Sequence, residues 1–161
     1  MQSITAMAAW LEGTPLALWV SESDFVYPLL LSVHIVGLAT FAGLQTMIAL
    51  RLLGGLATMP FAGLRGPMRL AWSGLILNAI SGVALFASQA TVFVGNTPFL
   101  IKLAMITVAA LSAAVIHKRL KHDAVHWDTA GRAGNRSRAI ATLTLAAIAA
   151  AIIAGRLIAY F

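Results

Sequence analysis

His34, Lys102 and Arg156 are the imidazole and charged side chains that fall inside long apolar stretches of this 161-residue chain. Charge within such a stretch is expensive and is kept where it pairs or works. Imidazole offers a lone pair to a metal, while ammonium and guanidinium groups bind acids. None of these stretches contains Asp or Glu, so the two cations call for an anion from elsewhere. One resolution is plain: both snorkel to a headgroup layer, or pair with Glu22 and Asp24. The other is a bound cofactor whose acidic groups meet Lys102 and Arg156 while its centre meets His34. Haem b has that character, since a neutral imidazole is a common axial ligand and propionates suit Lys and Arg. Gly37, one turn from His34, leaves room for a ring, although glycine is also ordinary at a helix crossing. Met105 shares a face with Lys102 and is the best candidate for a sixth ligand, against the commoner role of Met as packing. A lone His in an apolar span is otherwise a hydrogen-bonded core residue.

A second set comprises Arg51, His117, His122 and His126. His122 and His126 are spaced i, i+4 and could share a metal, but the run from His117 to Arg138 is polar and basic and reads as a solvated loop. Fifteen residues of helix put His117 about 22 Å from Lys102, so one cofactor cannot serve both. With no cysteine, thiolate sites and disulfides are excluded.

The elements that position these residues are helices. Hydrophobic residues make up 60% of the chain and charged residues 10%, with a mean hydropathy of +0.90; a soluble domain carries about 25% charged residues. A bilayer core of roughly 30 Å needs about 20 apolar residues as helix. Four blocks qualify, at about 25–50, 70–94, 98–116 and 139–160. The expectation is an all-α, integral membrane four-helix bundle forming one domain over 1–161. Residues 1–24 form short interfacial helices broken at Gly13-Thr14-Pro15, with Trp10 and Trp19 at headgroup level. Ser23 or Asp24 is the expected cap of the first long helix. Gly74, Asn78, Ser81, Gly82, Leu85 and Gln89 share one helix face that should point inward. Ala147, Ala151 and Gly155 form a small-xxx-small stripe for close helix approach.

The net charge of +6 raises nucleic acid as a partner, but its distribution argues otherwise. Arg51, Arg65 and Arg69 lie at the first connection between blocks, and Lys118, Arg119, Lys121, Arg132, Arg136 and Arg138 at the third. The N-terminal segment is acidic and the second connection, 95–97, carries no charge. That alternation is the positive-inside pattern. It places the chain in a bacterial inner membrane with both termini outside, and the first long helix, with no cleavable leader ahead of it, as the insertion signal. At about 1.5 Å per residue His34 then lies about 14 Å deep and Lys102 and Arg156 about 6–8 Å deep, all in the outer leaflet.

The runs Leu11-Glu12-Gly13-Thr14-Pro15-Leu16, Val33-His34-Ile35-Val36-Gly37-Leu38, Arg51-Leu52-Leu53-Gly54 and Ala154-Gly155-Arg156-Leu157-Ile158-Ala159-Tyr160 resemble a bacterial four-helix membrane family known only as a domain of unknown function. The likeness covers nearly the whole chain and implies no activity. A weaker similarity, carried by His34 ahead of Ala42-Gly43-Leu44, by Lys102-Leu103 and by His117, is to the CopD and HemJ-type membrane proteins. HemJ-type proteins bind haem and act in protoporphyrinogen oxidation, and CopD proteins are associated with copper handling. That resemblance implies a haem role for His34 and a functional role for Lys102. The chain departs from it in its long N-terminal segment and in the position of Arg51.

The expected function is therefore a small b-type haem membrane protein, in electron transfer or as the redox subunit of a membrane complex. His34 is the ligand, Lys102 and Arg156 the propionate partners. Two alternatives stand beside it. A CopD-like copper-handling protein would use His34 and nearby methionines, and a cofactor-free accessory or scaffold subunit would turn its cations to lipid or a partner. All three readings have the lipid bilayer as a partner, leave room for an oligomer and exclude nucleic acid.

Overall fold

The computed structural model describes residues 2–160, and among them every regular element is helical. Two short helices, α1 (Gln2–Glu12) and α2 (Pro15–Glu22), precede four long ones: α3 (Val26–Leu53), α4 (Arg65–Ser88), α6 (Thr97–Ala130) and α7 (Asn135–Leu157). A third short helix, α5 (Ala90–Val94), lies between α4 and α6. Each of the four long segments is long and apolar enough to cross a membrane.

Local chemistry sets the boundaries. Thr14 caps α2 by accepting from the Ala17 amide, and Pro15 follows where its missing N–H costs nothing. The cap position of α3 falls on Phe25, which makes no side-chain cap bond, rather than on Ser23 or Asp24 as expected, although the Ser23 hydroxyl two residues earlier accepts from the Val26 amide. Gly54, at φ +109°, turns the chain left-handed after α3, a conformation that only glycine adopts freely. Asn96 caps α6 by accepting from the Phe99 amide, and Gly131 at φ +69° ends it.

Two further boundaries depart from the expected ones. The second apolar block is not one helix to Val94: Gln89 leaves helical geometry at φ −145°, ψ 37°, and α5 starts afresh. The break lets Phe93 of α5 stack with Phe99 of α6 at 4.9 Å, while Phe86 of α4 stacks on Phe99 at 5.6 Å. The third block is not followed by a long loop. Helix α6 runs 34 residues to Ala130, leaving only 131–134 as the turn into α7. Ile116, Leu120, Ala124 and Trp127 continue one buried stripe, and burying it against the α3–α4 connection keeps the segment helical.

Helix α3 packs along α4 and also against α7, and α7 packs along α6. Helix α4 meets α6 through the aromatic stack at one end and, nearer the other, through the Trp72 indole N–H donating to Nδ1 of His117 at 2.9 Å. The main core lies at the basic end. There Ile48 and Leu52 of α3, Phe61 and Leu64 of the α3–α4 connection, and Met68 of α4 close against Ile116, Leu120 and Trp127 of α6. Phe61 is wholly buried, edge-on to Trp127 at 5.7 Å, with the Arg51 guanidinium 3.7 Å from its ring centroid. The Asp128 carboxylate accepts from the Phe61 and Ala62 amides at 2.6 and 3.1 Å, fastening the extended α6 to that connection.

Candidate functional site

His34 sits on α3, half-buried, with its ring against the polar face of α4. Its Nδ1 lies 3.0 Å from the Asn78 carbonyl oxygen and 3.2 Å from the Ser81 hydroxyl. A carbonyl only accepts, so that bond requires the proton on Nδ1 and makes Nε2 the lone-pair nitrogen. The Asn78 side-chain amide donates to the His34 carbonyl at 3.0 Å and lies 3.2 Å from Nε2. The Ser81 hydroxyl donates in turn to the Leu77 carbonyl at 2.7 Å. A Cβ on Gly82 would come within 3.0 Å of Cε1 of His34, so this glycine lets the ring lie flat along α4.

One turn further on, α3 and α4 cross at backbone distance. A Cβ on Gly37 would meet the Asn78 amide nitrogen at 2.7 Å and the Gly74 carbonyl at 2.9 Å. A Cβ on Gly74 would meet Gly37 and Phe41 backbone atoms at 2.9 Å. The expected space for a ring beside Gly37 is thus filled by α4; this glycine serves helix packing. The inward polar face read from sequence is borne out: Gly74, Asn78, Ser81 and Leu85 are buried, and Gly82 and Gln89 half-buried.

Lys102, on α6, is half-buried and lies within electrostatic reach of His34. Its stem rests on α7 at Gly155, where a Cβ would be 3.5 Å from Cδ and 3.8 Å from Nζ. Ala147 and Ala151, the other members of that small-residue stripe, are buried. Among the described residues the one carboxylate ion pair joins Arg119 and Asp123, so no carboxylate neutralises Lys102. Arg156 follows Gly155 but points away: it is exposed, donating to the Tyr160 hydroxyl at 3.4 Å with its guanidinium 5.6 Å from that ring's centroid. Met105 lies three residues along α6 from Lys102, half-buried. Directly below, Leu38, Ile106, Ala151 and Ile152 help line a narrow apolar recess of about 10 Å³. The structure therefore gathers His34 and Lys102 at one end of the molecule, with Arg156 on the adjoining outer surface.

The other histidines are dispersed. His117 is engaged by Trp72, and His122 and His126 are exposed on the extended α6 rather than on a loop. No group of three His, Asp or Glu that could hold a metal ion occurs among the described residues. Two polar contributors escaped the sequence reading. Gln45 is fully buried on α3, with its amide nitrogen 3.3 Å from the Met68 sulfur and its oxygen unpartnered among the described residues. Asp128 reads as one more charge in a polar run, and its capping role depends on contacts 66 or 67 positions away. No family model matches this chain, and no curated protein or solved structure matches it.

Proposed function

We propose that this chain is an integral protein of a bacterial inner membrane. Its four long helices form a transmembrane bundle, with the basic end in the cytoplasm and both termini outside. Within it His34 would hold one haem b near the outer face, in electron transfer or as the redox subunit of a membrane complex. The observation that carries the reading is the bond from Nδ1 of His34 to the Asn78 carbonyl. A ligating histidine characteristically donates its other ring N–H to such an oxygen, which fixes the tautomer and orients the lone pair. Lys102, without a carboxylate partner and on the same end of the molecule, supplies positive charge for a propionate. Arg156 supplies a second cation once its side chain turns from Tyr160.

The residues fit such a group in donor chemistry: one oriented imidazole, half-exposed, with an unneutralised cation nearby. Haem, when bound, supplies one-electron chemistry. The chain's own residues do the rest. Asn78 and Ser81 hold the imidazole against α4; binding through Nε2 would require the Asn78 amide to give up that nitrogen and keep its bond to the His34 carbonyl.

A cofactor-free accessory subunit is the second reading. What favours it is that the Asn78 amide already lies within bonding distance of Nε2, so that α4 alone satisfies the whole ring. The copper-handling alternative would rest on His34 with methionines such as Met105, since no group of three His, Asp or Glu that could hold a metal ion forms among the described residues. The reduced-minus-oxidised visible spectrum of protein purified from haem-supplemented cells separates the haem reading from the accessory-subunit reading. Haem b bands are expected; a colourless, well-inserted protein gives precedence to the accessory subunit. Reporter fusions at Asn96 and after Phe161 should read periplasmic, and one at Ala130 cytoplasmic.

A further inference from the structure

The turn between α6 and α7 encloses a cleft of about 280 Å³, lined by His126, Trp127, Arg132, Ala133, Gly134 and Asn135. Four features of this cleft converge on one ligand chemistry. Trp127 is only 4% exposed, and its indole N–H, which reaches the surface at the cleft, has no hydrogen-bond partner among the described residues. Its Nε1 lies 3.9 Å from where a Cβ of Gly134 would stand, on the cleft wall. Helix α7 begins here with 23 residues, and its N-cap Gly134 has no side chain to satisfy the first amides. The Ser137 and Arg138 amides bond to the Gly134 carbonyl, whereas the Asn135 amide stays free, as the first N–H of a helix does. Arg132 and His126 stand exposed on the cleft wall, Arg136 and Arg138 on the following turn. Both carboxylates at this end are engaged elsewhere, Asp123 with Arg119 and Asp128 with the Phe61 and Ala62 amides.

An unpartnered indole donor on a buried side chain, a free helix-terminal amide and an arginine lining the same cleft make a site of donors. Its complement is a compact anion rich in acceptors. We propose that the α6–α7 turn binds a phosphate group, held by the Trp127 indole N–H, the Asn135 amide and the Arg132 guanidinium. Free phosphate and the headgroup of an anionic phospholipid present the same chemistry here.

The test uses the full chain in phosphate-free zwitterionic detergent, labelled so that indole N–H resonances are resolved, with Trp127→Phe identifying the Trp127 signal. Inorganic phosphate, titrated against chloride at matched ionic strength, should shift that signal saturably. Arg132→Gln, at an exposed position, should weaken binding roughly tenfold, the loss of a charge-assisted contact. Transfer into nanodiscs decides the source. A shift in phosphatidylglycerol discs but not in phosphatidylcholine discs, with no further response to phosphate, identifies the lipid headgroup. A response to phosphate in both kinds of disc identifies the free anion. A Trp127 signal that neither probe moves, or undiminished binding by Arg132→Gln, overturns the proposal.

Discussion

The two ends of this molecule are built on opposite terms. At the basic end Phe61, Leu64, Leu52, Met68, Ile116 and Leu120 are sealed from solvent, and the polar groups among them serve the packing. Arg51 donates to the Met59 carbonyl and covers Phe61, while Asp128 caps the turn that carries it. At the far end His34 and Lys102 remain half-exposed, Trp10 and Trp19 lie on the surface, and Glu12 ties α1 to α5 through Thr91. A close glycine crossing between α3 and α4 separates the two regions. The contrast teaches that a titratable residue in an apolar helix means different things by its surroundings. Arg51 is spent on structure, whereas Lys102 keeps a charge that no carboxylate among the described residues answers.

Substitutions at the two ends should therefore differ in kind as well as size. Phe61→Ala removes the hub of the basic end and should lower unfolding free energy in detergent by about 3–5 kcal/mol, with no effect on a chromophore at His34. Gly74→Ala places a Cβ 2.9 Å from the α3 backbone; overpacking of this kind costs about 1–3 kcal/mol. It should also disturb the far end, because Asn78 sits one turn along. Asn78→Leu breaks the side-chain bond to the His34 carbonyl, an interhelical contact worth about 0.6–1.7 kcal/mol within membranes, while the Asn78 backbone carbonyl and Ser81 still hold Nδ1. Its signature should be undiminished haem retention with the fold kept, because Nε2 loses a competing donor while Nδ1 keeps its acceptor. Arg156→Gln should change stability by no more than about 0.5 kcal/mol, as an exposed position does. If Arg156 turns to a propionate, the same change lowers the reduction potential, since removing positive charge disfavours the added electron. An unchanged potential leaves Lys102 as the cation of the site. Comparable losses of stability from Phe61→Ala and Asn78→Leu would abolish the contrast.

Much of this was legible in the sequence. The four long helices follow from block length and composition, and the short N-terminal helices from the Gly13-Thr14-Pro15 break and the Thr14 cap. The inward face of α4 was readable from the spacing of Gly74, Asn78 and Ser81, because a helix returns to one side every three or four residues. Composition did not disclose the break at Gln89, since residues on either side of it are equally apolar and the Phe86–Phe93–Phe99 stack that accompanies it joins three helices. The extension of α6 left a readable trace, the stripe Ile116, Leu120, Ala124 and Trp127, which the high charge of the intervening residues masks. At the site, His34 and Lys102 stand out by residue type alone. That Asn78 and Ser81 receive the imidazole depends on the α3–α4 crossing, which brings together positions 44 and 47 residues apart.

Haem titration of the inserted apo-protein, wild type beside His34→Ala, tests most directly whether His34 is the ligand. One haem per chain is expected for the wild type, with a Soret band and reduced haem b bands. His34→Ala should show none at equal membrane insertion, with a stability loss no larger than the roughly 0.6–1.7 kcal/mol of an interhelical hydrogen bond, because its half-exposed ring contributes little to the core. Equal haem stoichiometry and an identical spectrum in His34→Ala would contradict the assignment and leave His34 as a hydrogen-bonded tie between α3 and α4.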